Sequence, residues 1–252
     1  MKADVLWEMG QINEAIELLE SNNKDGSFSE KVVKIKKMCK EEYGLPNEHA
    51  DIKKIERFMK WMREGGAKFK NVRMRYYGPD YRGVHACGEI GANEVFLNVP
   101  KNLIITPQSG RLTEIGAKIL ASKVKVNWDY LVYITIFLMV EMHNPESAWK
   151  PYLDVYPRLA NNFPMFYNEY EKSLLKGTPM VEHMASEISQ IKEEYERMIA
   201  AVPEFKQFSL EEYMRNKVLV ISRIFYVKMH NVTERIMVPL AGIPIHLSYR
   251  YV

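Results

Sequence analysis

The chain has 252 residues, 47% of them hydrophobic, which suits one large or two small globular domains and allows a core to form without disulfides or metals. Two cysteines, Cys39 and Cys87, are too few for a disulfide framework and show no zinc spacing, so a reducing compartment is expected, cytoplasmic or also nuclear. Lys+Arg 35 against Asp+Glu 32 leaves +3, evenly spread, which argues against nucleic acid as a partner.

Residues 1–19 carry Asp4, Glu8, Glu14 and Glu17 among their apolar positions, unlike a signal peptide. Val5, Met9, Ile12, Ile16 and Leu19 recur at helical spacing, and the string Leu6-Trp7-x-Met9-Gly10 through Glu14-Ala15-Ile16 resembles half of a tetratricopeptide repeat. Such repeats need about three copies to bury a continuous core, so an ordinary amphipathic helix is the expectation. A second helix follows a capping box at Ser27–Glu30, with Lys31, Lys34, Lys36 and Lys37 as its solvated face. A third is expected over 51–64, with Ile52, Ile55, Phe58, Met59 and Met62 inward and Gly65-Gly66 as its stop.

The period then changes. Val72, Met74 and Tyr76 alternate with polar residues, and 83–87, 94–99 and 103–106 read as further short strands. Thr106 is expected to cap a helix with Pro107 in its first turn, opening a stretch that stays mostly helical through Lys228. Within it the apolar run 131–140 is well short of the ~20 residues of a bilayer span, so a soluble protein with a buried helix or strand is expected. Pro151 and Pro157 keep the segment around Trp149 from being one helix, and that segment reads as aromatic packing. A last strand is expected at 236–240.

Familiar chemical motifs are absent. Gly78 and Gly83 have P-loop spacing, but Val84-His85 stands where Lys and Ser/Thr would be needed. His183 and Glu187 share a helix face without the second histidine of a zinc protease, so no metal site is expected. Gly83, read as opening a strand, serves either a tight turn or close approach of a ligand to the backbone. Arg223, in the apolar run 218–225 read as buried helix, needs an acceptor, either an acidic neighbour or a bound carboxylate.

Several strings occur in order: Phe58-Met59-Lys60-Trp61, Gly65-Gly66-Ala67, Tyr81-Arg82-Gly83-Val84-His85-Ala86, Glu94-Val95-Phe96-Leu97, then Ser147-x-Trp149-x-Pro151-Tyr152-Leu153-x-x-x-Pro157. Pro164-Met165-Phe166-Tyr167, Gly177-Thr178, Ser222-Arg223-x-Phe225 and Val238-Pro239-Leu240 follow. Together they resemble the SET-domain protein methyltransferases, in the branch of plastid Rubisco large-subunit methyltransferase and actin-histidine methyltransferase, over about residues 52–241. The resemblance implies an α+β fold: a small strand-rich SET core with a long helical insertion, preceded by N-terminal helices. It implies an N-terminal segment 1–50 and an incomplete SET domain 51–252, itself divided into 51–106, an insertion 107–208 and 209–252.

The same resemblance implies S-adenosylmethionine as cofactor, a protein substrate, and methyl transfer to a lysine, with histidine as the close variant. It places Asp80, Tyr81, Arg82 and Gly83 against the cofactor, Arg223 at its pocket, and His246 in the histidine position of the Asn-His element. The sequence departs from the pattern in three places: Tyr81 replaces a glycine, Gly242 an aspartate and Ile245 an asparagine. No residue before Val252 matches the active-site tyrosine, so no catalytic residue is assigned, and a truncated, inactive form is the expectation. Codons allowed for Gly242 and Arg250 also permit a retained intron between them. The alternative, from another class, is a non-catalytic protein-binding module.

Overall fold

The computed structural model describes residues 48–78, 81–158, 160, 163–229 and 232–243. The helices expected before residue 48, and the segment after 243, lie outside the described residues. Two compact units are present: of the described residues, the first holds 48–57 and 70–96, the second 58–69 and 97–243.

Helix α1 (Glu48–Glu64) is the helix expected over 51–64, and Phe58, Met59 and Met62 are buried as the spacing requires. It closes at Gly66, whose φ of 94° is a left-handed conformation that glycine adopts without a Cβ clash, while its amide donates to Arg63.

In the first unit, β2 (Val72–Gly78) pairs antiparallel with β3 (Tyr81–Ala86), with a register shift between Tyr76 and Gly78. Met74 faces Val84 across the pair, and both are buried. Gly83 lies opposite Arg75 in mid-strand, a correction to its expected place at the strand's start, because pairing reaches back to Tyr81. Most of 94–99 is not strand. The Glu94 carboxylate instead accepts from Gly91 N (2.9 Å) and Lys70 Nζ (2.7 Å), tying a turn, and these bonds hold its pKa below the ordinary carboxylate value.

In the second unit, β1 (Lys68–Phe69), unforeseen in the sequence, pairs with β4 (Leu97–Asn98). The strand expected at 103–106 is replaced by a 3-10 turn (Lys101–Leu103) and one antiparallel bridge from Ile105 to Met237. Thr106 then caps α2 (Pro107–Arg111), accepting from Ser109 N while Ser109 Oγ accepts from Thr106 N, with Pro107 in the first turn.

Helices α3 (Glu114–Ser122) and α4 (Asp129–His143) follow. The run 131–140 is helix, and residues 131–139 are all buried, so α4 has no solvent face over that stretch. After α5 (Lys150–Leu153) and α6 (Glu169–Leu174) come the long α7 (Pro179–Ala201) and α8 (Leu210–Ile221). Their core includes Ile119, Val132, Ile136, Met198, Phe205 and Tyr213. Trp149 lies within about 5 to 6.5 Å of the rings of Trp61, Phe137 and Tyr152, the aromatic packing its segment suggests.

Helix does not continue through Lys228. It stops at Ile221, and β5 (Ile224–Met229) pairs antiparallel with β6 (Val232–Met237). Among the described residues the last strand therefore begins and ends earlier than 236–240; Pro239, lacking an N–H, falls in the turn that follows it.

Candidate functional site

Arg223 leaves the end of α8 just before β5, not inside a buried helix as its apolar neighbours suggest. Ser209 caps the helix start by accepting from Glu212 N at 3.1 Å. At the other end Arg223 Nη1 donates to Leu219 O (3.1 Å) and Ser222 Oγ (2.5 Å), and the guanidinium lies 5.8 Å from the Tyr156 ring centroid. Among the described residues no carboxylate pairs with it, and Nη2 and Nε make no hydrogen bond, so the acidic-neighbour reading is not met. One edge of the fork is fixed and the other keeps its donors, which suits a bound carboxylate.

The turn after β6 runs beside this arginine. Gly242 N donates to Val238 O (2.9 Å), and a Cβ at Gly242 would sit 3.4 Å from Arg223 O. Leu240, buried in that turn, has φ 71°, a conformation costly for a branched side chain and found where the surroundings over-determine it. Tyr156 is buried, its hydroxyl has no hydrogen-bond partner among the described residues, and burial pushes its pKa far up.

The other expected cofactor residues lie elsewhere in the chain. Arg82 and Gly83 are buried in β3 of the first unit, where strand alternation puts Arg82 on the face of Val84 and Gly83 on the opposite one. Tyr81 starts the same strand. Asp80 and His246 lie outside the described residues. His183 Nδ1 stands 3.9 Å from Glu187 across one turn of α7, and no group of residues that could hold a metal occurs among the described residues.

Sequence reasoning missed a buried polar cluster. The Glu194 carboxylate, fully buried on α7, accepts from Tyr213 Oη (2.5 Å), from Lys217 Nζ and from the amide of Asn127. Burial lowers the Lys217 pKa although Glu194 pulls it upward; burial, then Glu194, holds the Tyr213 hydroxyl well above its ordinary value. Beside the cluster lies a cavity of about 790 Å³, whose wall includes Trp128, Met184, Lys217 and Val218. The signal for the cluster was Lys217 standing four residues after Tyr213 and against the apolar run 218–221.

No protein-family model matches the chain. The fold is that of the SET domain. It superposes on the crystal structure of the SET domain of LSMT bound to MeLysine and AdoHcy with a TM-score of 0.65 at 23% identity, covering 77% of this chain and 45% of that one. Rubisco LSMT bound to AdoMet gives a TM-score of 0.64 with the same coverage.

Sequence relatives point to the branch that the motifs resemble. The chain is 33% identical over 171 residues to the chloroplastic [fructose-bisphosphate aldolase]-lysine N-methyltransferase of Arabidopsis thaliana, which covers 68% of this chain and 32% of that protein. It is 26% identical over 137 residues to the actin-histidine N-methyltransferase of Homo sapiens, covering 54% of this chain and 23% of the relative. The chain thus spans a third or less of the length of these curated relatives. No helix among the described residues is long and apolar enough to cross a membrane.

Proposed function

We propose that this chain binds S-adenosylmethionine and serves methyl transfer to a protein lysine. The observation that carries the reading is the Arg223 guanidinium, anchored on one side by Leu219 O and Ser222 Oγ and keeping its remaining donors for a carboxylate such as the cofactor's. When bound, the cofactor supplies an electrophilic methyl on sulfur, and the protein aligns a neutral amine with it and keeps water out. Support for lysine over histidine comes from the higher identity to the lysine-directed relative, 33% against 26%.

The departures at Gly242 and Ile245 favour weak cofactor binding and, as a second reading, a protein-binding module without catalysis. Calorimetric titration with S-adenosylhomocysteine decides between them. Saturable binding, weakened about tenfold or more in Arg223→Ala by loss of a charge-assisted bond, is expected of the first reading. No binding by the intact chain would overturn it. Unchanged affinity in Arg223→Ala would assign that arginine to fold alone. Incubation with labelled S-adenosylmethionine and candidate proteins, followed by mass spectrometry, identifies the methylated residue type.

A further inference from the structure

The cavity beside the Glu194 cluster is built by α4, α7, α8 and the turn before α4, all within the second unit. Val126, Met165, Met184 and Val218 line it, and two half-exposed side chains, Met180 and Ile221, extend the apolar surface outward. Methionines make such a surface adaptable, because an unbranched, polarisable side chain repacks around different guests.

Trp128 also lines the cavity, 62% exposed, and its backbone is left-handed at φ 53°, ψ 76°. A bulky residue holds that conformation only where its neighbours enforce it. Here the enforcement is visible. The preceding amide, Asn127 N, is bonded to buried Glu194, which Tyr213 and Lys217 hold from α8. The buried cluster thus anchors the backbone next to Trp128, whose exposed indole lines an apolar cavity.

The lining also sets the sign of the guest. Its two charged residues are Lys217, buried and neutralised by Glu194, and Glu187. Glu187 is partly exposed, with His183 3.9 Å away. Glu187 and the indole face both favour a cation, the indole through its π-surface.

We propose that this cavity is a docking pocket for a segment of a partner protein in which a bulky apolar side chain is followed by a lysine or arginine. The apolar side chain fills the space between α7 and α8, and the cation sits between Trp128 and Glu187. This docking is separate from cofactor binding and does not depend on catalysis.

The test uses the full chain and fluorescence anisotropy with three labelled peptides, GSGLFKGSG, GSGLFEGSG and GSGSSKGSG. The first should bind saturably and about tenfold more tightly than either of the others, since one lacks the cation and the other the anchor. Glu187→Lys should abolish the preference for the lysine peptide over the glutamate peptide, and Met180→Ser should weaken both apolar peptides. Both sites are at least partly exposed, and circular dichroism checks the fold of each variant. Absence of saturable binding, equal affinity for all three peptides, or affinities untouched by both substitutions would overturn the proposal. So would self-association in light scattering that Met180→Ser abolishes, which would make a second copy of this chain the occupant.

Discussion

Glu194 shows how one buried charge is made tolerable. It has three donors, from a tyrosine, a lysine and a backbone amide, so the cost of leaving water is offset by charge-assisted bonds in a low-dielectric setting. Removing one partner should be costly: Lys217→Met is expected to destabilise the chain by about 3 kcal/mol in urea denaturation, because the carboxylate stays buried with less compensation. Replacing Glu194 and Lys217 together by Met should cost less than the sum of the single changes. The same residues set an alkaline dependence. Lys217 has a folded pKa below its unfolded one, so its unfavourable contribution fades as pH rises toward about 10.5 and is constant beyond. Tyr213 and Tyr156 have raised folded values, so their contribution is complete below the unfolded pKa of about 10 and is lost above it. Above the unfolded lysine pKa the contribution of Lys217 is constant while that of the tyrosines is still being lost, and stability should fall with pH there. Tyr213→Phe should flatten that fall in denaturation curves taken at successive alkaline pH values.

At the scale of elements, α2 packs closely against α4. A Cβ placed on Gly110 would lie 1.8 Å from the Tyr133 carbonyl oxygen, a backbone atom that cannot swing aside. Gly110→Ala should therefore push the helices apart and lower the melting temperature, at a cost of about 2 to 3 kcal/mol. Thr106→Ala, which removes the side-chain cap on α2, should cost only about 1 kcal/mol in the same assay. That cap was legible in the sequence, as was α1, because local chemistry decides each, a hydroxyl before a proline and a stripe at 3.6 spacing; the unbroken run 131–140 marked burial but left helix or strand open. β5 was not. The run 218–225 continues the apolar pattern of α8, and no glycine or proline marks its break at Ser222, so only pairing with β6 makes residues 224–229 a strand. The expected strands at 94–99 and 103–106 failed for the related reason that a short apolar run without a neighbour to pair along its length becomes turn or 3-10 helix.

Across the whole molecule, Arg223 could be read from the sequence as an arginine in need of an acceptor, whereas for the Glu194 cluster the sequence offered only the placement of Lys217 beside an apolar run. Its members come from α7, α8 and a loop some 70 residues upstream of α7's glutamate, and no local pattern marks one glutamate among many as buried. Its burial reflects a cooperative second unit, and amides of α4 over 131–140 should exchange with solvent most slowly of all. Those of the two-stranded β2–β3 pair should exchange faster, as hydrogen–deuterium exchange by mass spectrometry can show. The all-round burial of α4 also has a consequence for synthesis. Its partners Phe205 and Tyr213 leave the ribosome roughly 70 residues after it, which at about 5–20 residues per second leaves a bare greasy helix without its partners for several seconds. During that interval it should be open to chaperone capture, and a nascent chain arrested before α8 should bind a holdase through this one segment.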